Sequence, residues 1–202
     1  MSKIVDKKKR RSEIAKAAVD IFARKGFENT TVQEIADRAK IAKGTVYLYF
    51  KTKEDILNEA SKEILCELEG NLLHSLSRLT DPVEKLSALI TEAMTITPEF
   101  EQIFIVYMES RLFHLRDREY GTFIKNFEES LRKVRRITVE IIRQGKTQGA
   151  FRNDADAEAL AFCLFGAFDG VVMQYLHNKS GFDIENVRNE FLKNFFNGLM
   201  DN

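Results

Sequence analysis

Apolar residues recur at spacings of three and four along this whole chain, and proline occurs only at Pro82 and Pro98. Faces that repeat every 3.6 residues belong to helices, whereas half-buried strands alternate every second residue. The absence of alternating runs predicts an all-α protein. Such helices must bury their apolar stripes against one another, so a helical bundle follows. At 202 residues the chain is long enough for one large domain or two small ones with a sizeable core.

Helix ends are written into the sequence. In "SEIAKAAVDIFARKGF", Ile14, Ala18, Ile21 and Phe22 share one face and Gly26 ends the helix. In "TTVQEIADRA", Thr31 can cap the next helix and Glu34, three residues on, completes a capping box. Ile35, Ala36 and Ala39 give that helix a narrow apolar face, the link "KIA" is short, and another helix begins near Lys43. Two short helices braced by a longer first one make a helix-turn-helix unit. Beyond Lys53 the helices lengthen. One is expected from Glu54 to about Ser77, another after Asp81 and Pro82 with Glu84 at N3, and another after Thr97 and Pro98. Later helices are expected from about Tyr120 to Gln148 with a stop at Gly149, from Asp154 to about Asn178, and from Asp183 to about Met200. The division expected is a helix-turn-helix domain over 1–53, with residues 1–9 as a basic arm, and a ligand-binding and dimerisation domain over 54–202.

No stretch reaches about 18 uncharged apolar residues, so no membrane-spanning helix is expected. The N-terminus lacks the apolar segment of a secretory signal. Cys66 and Cys163 stand singly in apolar helical segments and read as buried free thiols in a reducing cytoplasm. Net charge is zero but unevenly placed: residues 1–55 carry 14 Lys/Arg against 8 Asp/Glu, and residues 56–202 carry 17 against 23. A basic first quarter points to a polyanion partner for that part alone, although the run Lys7–Arg11 also reads as a solvated tail.

The stretch "IAKGTVYLYFKTKEDIL", Ile41–Leu57, sharpens this. On a helix over Lys43–Phe50, Val46 and Phe50 can pack on Ile35 and Ala39. Gly44 weakens such a helix, and its benefit would be close approach of the backbone to a partner. Free N–H groups at a helix start attract phosphate, and Lys43 and Lys53 add full charges. Tyr47 and Tyr49 can donate hydroxyl protons to phosphate oxygens, and Thr45 offers a methyl and a hydroxyl to a base. The alternative is a surface helix with scattered aromatics.

With "KGF" before it and "KTKEDIL" after it, "TTVQEIADRAKIAKGTVYLYF" resembles the DNA-binding domain of the TetR family of bacterial repressors, strongly over residues 10–60 and more loosely beyond. The resemblance implies a cytoplasmic homodimer that reads a palindromic operator in double-stranded DNA. It further implies phosphate contacts from Thr30 and Thr31, base or groove contacts from Lys43, Gly44 and Thr45, and a backbone grip by Tyr47, Tyr49 and Lys53. Many members carry His where this chain has Tyr49; both side chains can hydrogen-bond a phosphate, so only that contact's detail is affected.

Two apolar helices near the C-terminus suit an intersubunit four-helix bundle, with Phe165, Phe168 and Val172 on one and Phe191 and Phe195 on the other, while Gly166 and Gly170 permit close approach. Packing within one chain is the competing account. Between residues 100 and 127, Phe104, Tyr107, Met108 and Phe127 read either as core or as the lining of an apolar cavity. Arg111, Arg116 and Arg118, with Arg132–Arg136 further on, suit an anionic head group on a greasy ligand, or else pair with nearby acids such as Glu109 and Glu128. The layout of "YMESRLFHLRDREY" and of "IIRQGKTQGAFRNDADAEALAFCLFGAFDGVVMQYL" is similar to TetR-type repressors of fatty-acid degradation, which implies a lipophilic effector, long-chain acyl-CoA first. A regulator of multidrug efflux answering to hydrophobic compounds shares the outline, and a helical adaptor would leave the basic head unexplained. His74, His114 and His177 have no partner at i+3 or i+4, and no metal, cofactor or nucleophile motif is present, so no catalysis is expected.

Overall fold

The structure is a computed structural model that describes residues 2–117, 121–181 and 183–200, with the side chains of 2–6 and 112–117 outside that description. The described residues form nine α-helices: α1 (Ser2–Lys25), α2 (Val32–Arg38), α3 (Lys43–Tyr47), α4 (Lys53–Ser77), α5 (Pro82–Ala93), α6 (Pro98–Asp117), α7 (Thr122–Thr147), α8 (Ala157–His177) and α9 (Ile184–Leu199). A 3-10 turn, Lys179–Gly181, joins the last two, and no strand occurs among the described residues. The all-α reading holds.

The predicted caps place most of these ends. Thr31 and Glu34 form the capping box at α2, the Asp81 carboxylate accepts from the Glu84 N–H at 3.1 Å, and the Asp183 carboxylate accepts from the Asn186 N–H at 3.0 Å. The Thr97 hydroxyl accepts from the Phe100 N–H at 3.2 Å. Helix α7 stops in a Schellman motif: the Gly149 N–H reaches the Lys146 carbonyl at 3.1 Å, the Ala150 N–H reaches the Gly145 carbonyl at 2.9 Å, and Gly149 has φ +72°.

Several ends differ from expectation. The segment expected as a basic arm continues α1 back to Ser2, since neither glycine nor proline interrupts the chain before Gly26. Helix α3 stops at Tyr47, leaving Tyr49 and Phe50 beyond its end. Helix α8 is capped by Asp156, whose carboxylate accepts from the Ala159 N–H; Asp154 instead accepts from Arg152 at 2.9 Å. The expected start of α7 at Tyr120 lies outside the described residues, and the helix is observed from Thr122. Cys66 and Cys163 are free but exposed, because each occupies the outer face of its helix. By length and composition α8 could cross a membrane, which the sequence did not lead us to expect. Here Leu164 and Phe168 of α8 belong to a packed core.

The chain divides into two compact units, Met1–Leu68 with Thr97–Ser130, and Glu69–Ile96 with Leu131–Asn202. In the first, Ile14, Ala18 and Phe22 of α1 are buried, as are Ile35 and Ala36 of α2 and Val46 and Phe50 around α3. Helix α1 packs on both α2 and α6, and α2 on α3. In the second, Leu86, Leu89 and Ile90 of α5 share a core with Ile141 and Ile142 of α7, Leu164 and Phe168 of α8, and Leu199 of α9. Each such side chain contributes about 1.5–3 kcal/mol on leaving water.

Gly145 shows how tightly the second core is filled. A Cβ built there would lie 2.0 Å from the ring of Phe151, itself only 1% exposed. Gly145→Ala is therefore expected to destabilise by about 1–3 kcal/mol in denaturant unfolding, despite alanine's better helix propensity. Gly70, on α4, would meet nothing within 4 Å. Gly70→Ala should instead stabilise by up to about 1 kcal/mol, and a loss there would contradict the open geometry.

Candidate nucleic-acid interface and effector cluster

The helix-turn-helix is assembled by short-range caps and held by ion pairs. Helix α2 starts at Thr31, whose hydroxyl accepts from the Glu34 N–H at 3.3 Å while its own N–H donates to the Glu34 carboxylate at 2.8 Å. Lys25 closes this group with an ion pair to Glu34. Helix α2 ends in a second Schellman motif: the Lys40 N–H donates to the Asp37 carbonyl at 3.1 Å and the Ile41 N–H to the Ala36 carbonyl at 3.0 Å. Lys40 occupies the left-handed position with φ +57°, a conformation that glycine would adopt with less strain. The turn into α3 is thereby fixed by backbone bonds alone.

Val46 and Phe50 face inward and are buried, as their spacing requires. The opposite side carries Lys43, Gly44 and Tyr47, all exposed, with Thr45 and Tyr49 half-buried and Leu48 75% exposed. A Cβ at Gly44 would meet nothing within 4 Å. The fold gives no internal reason for glycine there.

The remaining predicted contacts divide. Thr31 is exposed at the start of α2 but its hydroxyl is engaged with Glu34. Thr30 is 2% exposed and its hydroxyl donates to the Gly26 carbonyl at 2.8 Å, which turns it inward. The Lys53 ammonium donates to the Phe27 carbonyl at 2.9 Å and the Glu28 carbonyl at 3.2 Å, and lies 4.7 Å from the centre of the Phe27 ring. These two side chains brace the α1–α2 connection.

Three bracing groups escaped the sequence reading. Asp20, 9% exposed, pairs with Arg24 at 2.8 Å and accepts from Arg38 at 2.8 Å and from Gln102 at 3.5 Å, joining α1, α2 and α6. Arg11 donates to Glu59 at 2.8 Å and to the Tyr49 carbonyl at 2.5 Å, with its guanidinium 4.3 Å from the Phe50 ring centre. Its hydrogen bond holds the Glu59 carboxyl below the usual carboxylate range. Glu109 of α6 accepts from the Phe27 N–H at 3.4 Å. Asp20 lies on the side of α1 away from Ile14, Ala18, Ile21 and Phe22, so the helical pattern gave no sign that it would be buried. Arg11 and Glu109 had no local signal either.

The predicted effector residues gather on α6 and the start of α7. Tyr107 and Phe127 stack with centroids 3.9 Å apart, Phe104 lies 6.2 Å from Tyr107, and Phe123 lies 6.3 Å from Phe127. Tyr107, Phe104 and Phe127 are each at most 3% exposed, while Met108 is half-buried. The Arg111 guanidinium sits 5.8 Å from the Tyr107 ring centre. The side chain of Arg116, with Arg118 and Tyr120, lies outside the described residues. Arg132–Arg136 belong to the second unit, where Arg135 lies 5.5 Å from the Phe162 ring centre and 5.4 Å from that of Phe165.

Within the single chain, the residues expected at a dimer interface pack against its own core. Phe165, Phe168 and Val172 are 9%, 7% and 3% exposed, and Phe168 meets Phe191 at 6.2 Å. Phe191 and Phe195 are partly buried against the same core. The open side of α8 carries Phe162, 67% exposed, and Met173, 44% exposed, with Gly166 and Gly170 between them. Among the described residues no cluster of three His, Cys, Asp or Glu could hold a metal ion.

A profile of the bacterial regulatory proteins of the tetR family matches residues 14–60, and one for the C-terminal region of YsiA-like proteins matches residues 62–198. The chain belongs to the TetR family. Within it, the chain is 31% identical to the transcriptional repressor KstR2 of Mycolicibacterium smegmatis, over 74% of this chain and 71% of that one. It is 27% identical to the fatty acid metabolism regulator protein of Bacillus subtilis, over 93% and 94% of the two chains. The crystal structure of the regulator FadR of Bacillus subtilis in complex with stearoyl-CoA superimposes with a TM-score of 0.74 at 26% identity, covering 92% of this chain and 97% of that one. The TetR-family fold, with an N-terminal helix-turn-helix and a helical C-terminal region, is thus the fold of this chain.

The capping box makes a pH prediction for the TetR-type head. The hydrogen bond from Lys25, then those from the Thr31 N–H and hydroxyl, hold the Glu34 carboxyl at about 2 rather than the ordinary 4.5. A lowered folded value means that the contribution is fully present above about 4.5 and is lost as pH falls through about 2. A carboxyl-detected NMR titration should find the Glu34 midpoint near 2; a midpoint near 4.5 would show the box open in solution.

Proposed function

We propose that this chain is a homodimeric repressor that binds a palindromic operator and is released from it by long-chain acyl-CoA. The observation that carries the proposal is the similarity, over 92% of the chain, to a regulator solved with stearoyl-CoA. It is supported by the gathering of Phe104, Tyr107 and Phe127 into one apolar cluster with the Arg111 cation at its edge. The apolar part suits an acyl chain, and the guanidinium suits an anionic head. The reading is of a regulator without catalytic activity, working in the cytoplasm.

In this reading Lys43, Gly44 and Thr45 meet bases or the groove wall, Tyr47 and Tyr49 hold phosphates, and Thr31 marks the phosphate-facing start of α2. Lys53 and Thr30 act by bracing the head. The dimer forms through α8 and α9, with Phe162, Gly166, Gly170 and Met173 at the contact. The absence of any steric neighbour at the two glycines supports this, as does the exposure of Phe162 and Met173.

Release follows from linkage. Duplex DNA accepts one separation of two heads, so an effector that favours another separation weakens DNA binding, and DNA weakens effector binding equally. Moving from about 99% competent to about 1% requires about 10⁴-fold differential affinity, or about 5.5 kcal/mol. An acyl chain supplies about 0.8 kcal/mol per buried CH₂, so some seven methylenes buried in one state only would suffice.

Two measurements test the proposal. Gly44→Ala should leave thermal unfolding unchanged or raised, yet weaken operator binding at least tenfold in a gel shift; unchanged DNA affinity would remove Gly44 from the interface. Titration of the protein–operator complex with acyl-CoA esters of increasing length should show release by long chains and little by short ones. Arg111→Glu should raise the concentration required. A response independent of chain length, or none, would exclude acyl-CoA as the effector while leaving DNA binding to be judged by the gel shift.

A further inference from the structure

The run Lys7–Arg11 is not absorbed by a helix-turn-helix reading. It forms part of α1 rather than a tail, so its five cations have fixed directions. Arg10 donates to Glu13 at 2.8 Å and Arg11 to Glu59 at 2.8 Å, so both are neutralised within the chain. Lys7, Lys8 and Lys9 are exposed. The adjacent lysines gain nothing for the helix from one another, although Glu59, already paired with Arg11, attracts Lys8.

Its position supplies an explanation. Arg11 reaches the Tyr49 carbonyl at 2.5 Å and stacks at 4.3 Å from the Phe50 ring centre, which ties this turn of α1 to the end of the base-reading stretch. Lys7 lies one turn earlier on the same face, with Cβ atoms about 5–6 Å apart at that spacing. At about 100° per residue, Lys8 lies about 60° from Arg11, whereas Lys9 points about 160° away. We propose that Lys7 and Lys8 form a second, sequence-independent contact with the DNA phosphates that flank the bases read by α3. The contact adds affinity and salt sensitivity without adding specificity, because a phosphate carries no base identity.

The inference rests on the DNA-binding reading, and the experiment separates the two. The full-length protein is titrated onto its operator and onto random duplex across a salt series. Lys7→Ala/Lys8→Ala should flatten the slope of log affinity against log salt by about 3.6, because the bound homodimer carries four such lysines at about 0.9 per phosphate contact. It should weaken operator and random duplex by the same factor. Lys7→Arg/Lys8→Arg should keep the wild-type slope. Lys9→Ala should change it far less, since that side chain points away. Thermal unfolding of each variant confirms that α1 is intact. An unchanged slope in the double alanine variant, or an equal effect of Lys9→Ala, overturns the inference while operator preference still supports the repressor reading. A wild-type protein that binds no duplex overturns both.

Discussion

The first unit depends on one buried carboxylate. Asp20 is buried on α1, pairs with Arg24 and takes a hydrogen bond from Arg38, with Gln102 of α6 at 3.5 Å. A carboxylate removed from water without partners costs several kcal/mol, and here two guanidinium groups offset that cost. The arrangement is worth more as geometry than as net stability. It fixes the rotation of α2 about its axis relative to α1, which a narrow apolar face of Ile35 and Ala36 specifies only loosely. Because α3 follows α2 through a turn with no freedom, orienting α2 also orients Lys43, Gly44 and Thr45.

Helix α6 therefore has two faces with different duties. Gln102 and Glu109 meet the head at Asp20 and Phe27, while Phe104, Tyr107 and Arg111 belong to the aromatic cluster on the same helix. Residues three to five apart on one helix cannot move independently. A shift of α6 by part of a turn would strain both hydrogen bonds at once, and packed helices exchange between discrete arrangements rather than deforming smoothly. The aromatic cluster and the helix-turn-helix are thus coupled through one helix.

Much of this was legible beforehand, and the reasons are local. Caps at Thr31, Asp81, Thr97 and Asp183, and the stop at Gly149, depend on side chain and backbone within four residues, so the sequence carries them directly. Asp154 was mistaken for Asp156 because both precede the helix and either carboxylate could cap it; pairing with Arg152 decided the matter. The inward turn of Phe165, Phe168 and Val172 was not legible. Helix α8 has apolar residues on more than one side, and periodicity alone cannot tell which side meets its own chain. The same limit applied to Thr30 and Lys53, whose side-chain chemistry suits a phosphate as well as the backbone carbonyls they in fact meet.

The outward placement of the two cysteines has a practical side. Cys66 belongs to the first compact unit and Cys163 to the second, and both thiols are exposed. The native chain thus carries one reactive handle on each unit and no others. A pair of nitroxide or fluorescent labels attached there would act as a molecular ruler, reporting the distance between α4 and α8 with and without effector. The same two thiols, left unprotected in air, would give cross-linked species on a gel, so reducing agent belongs in every buffer until they are labelled.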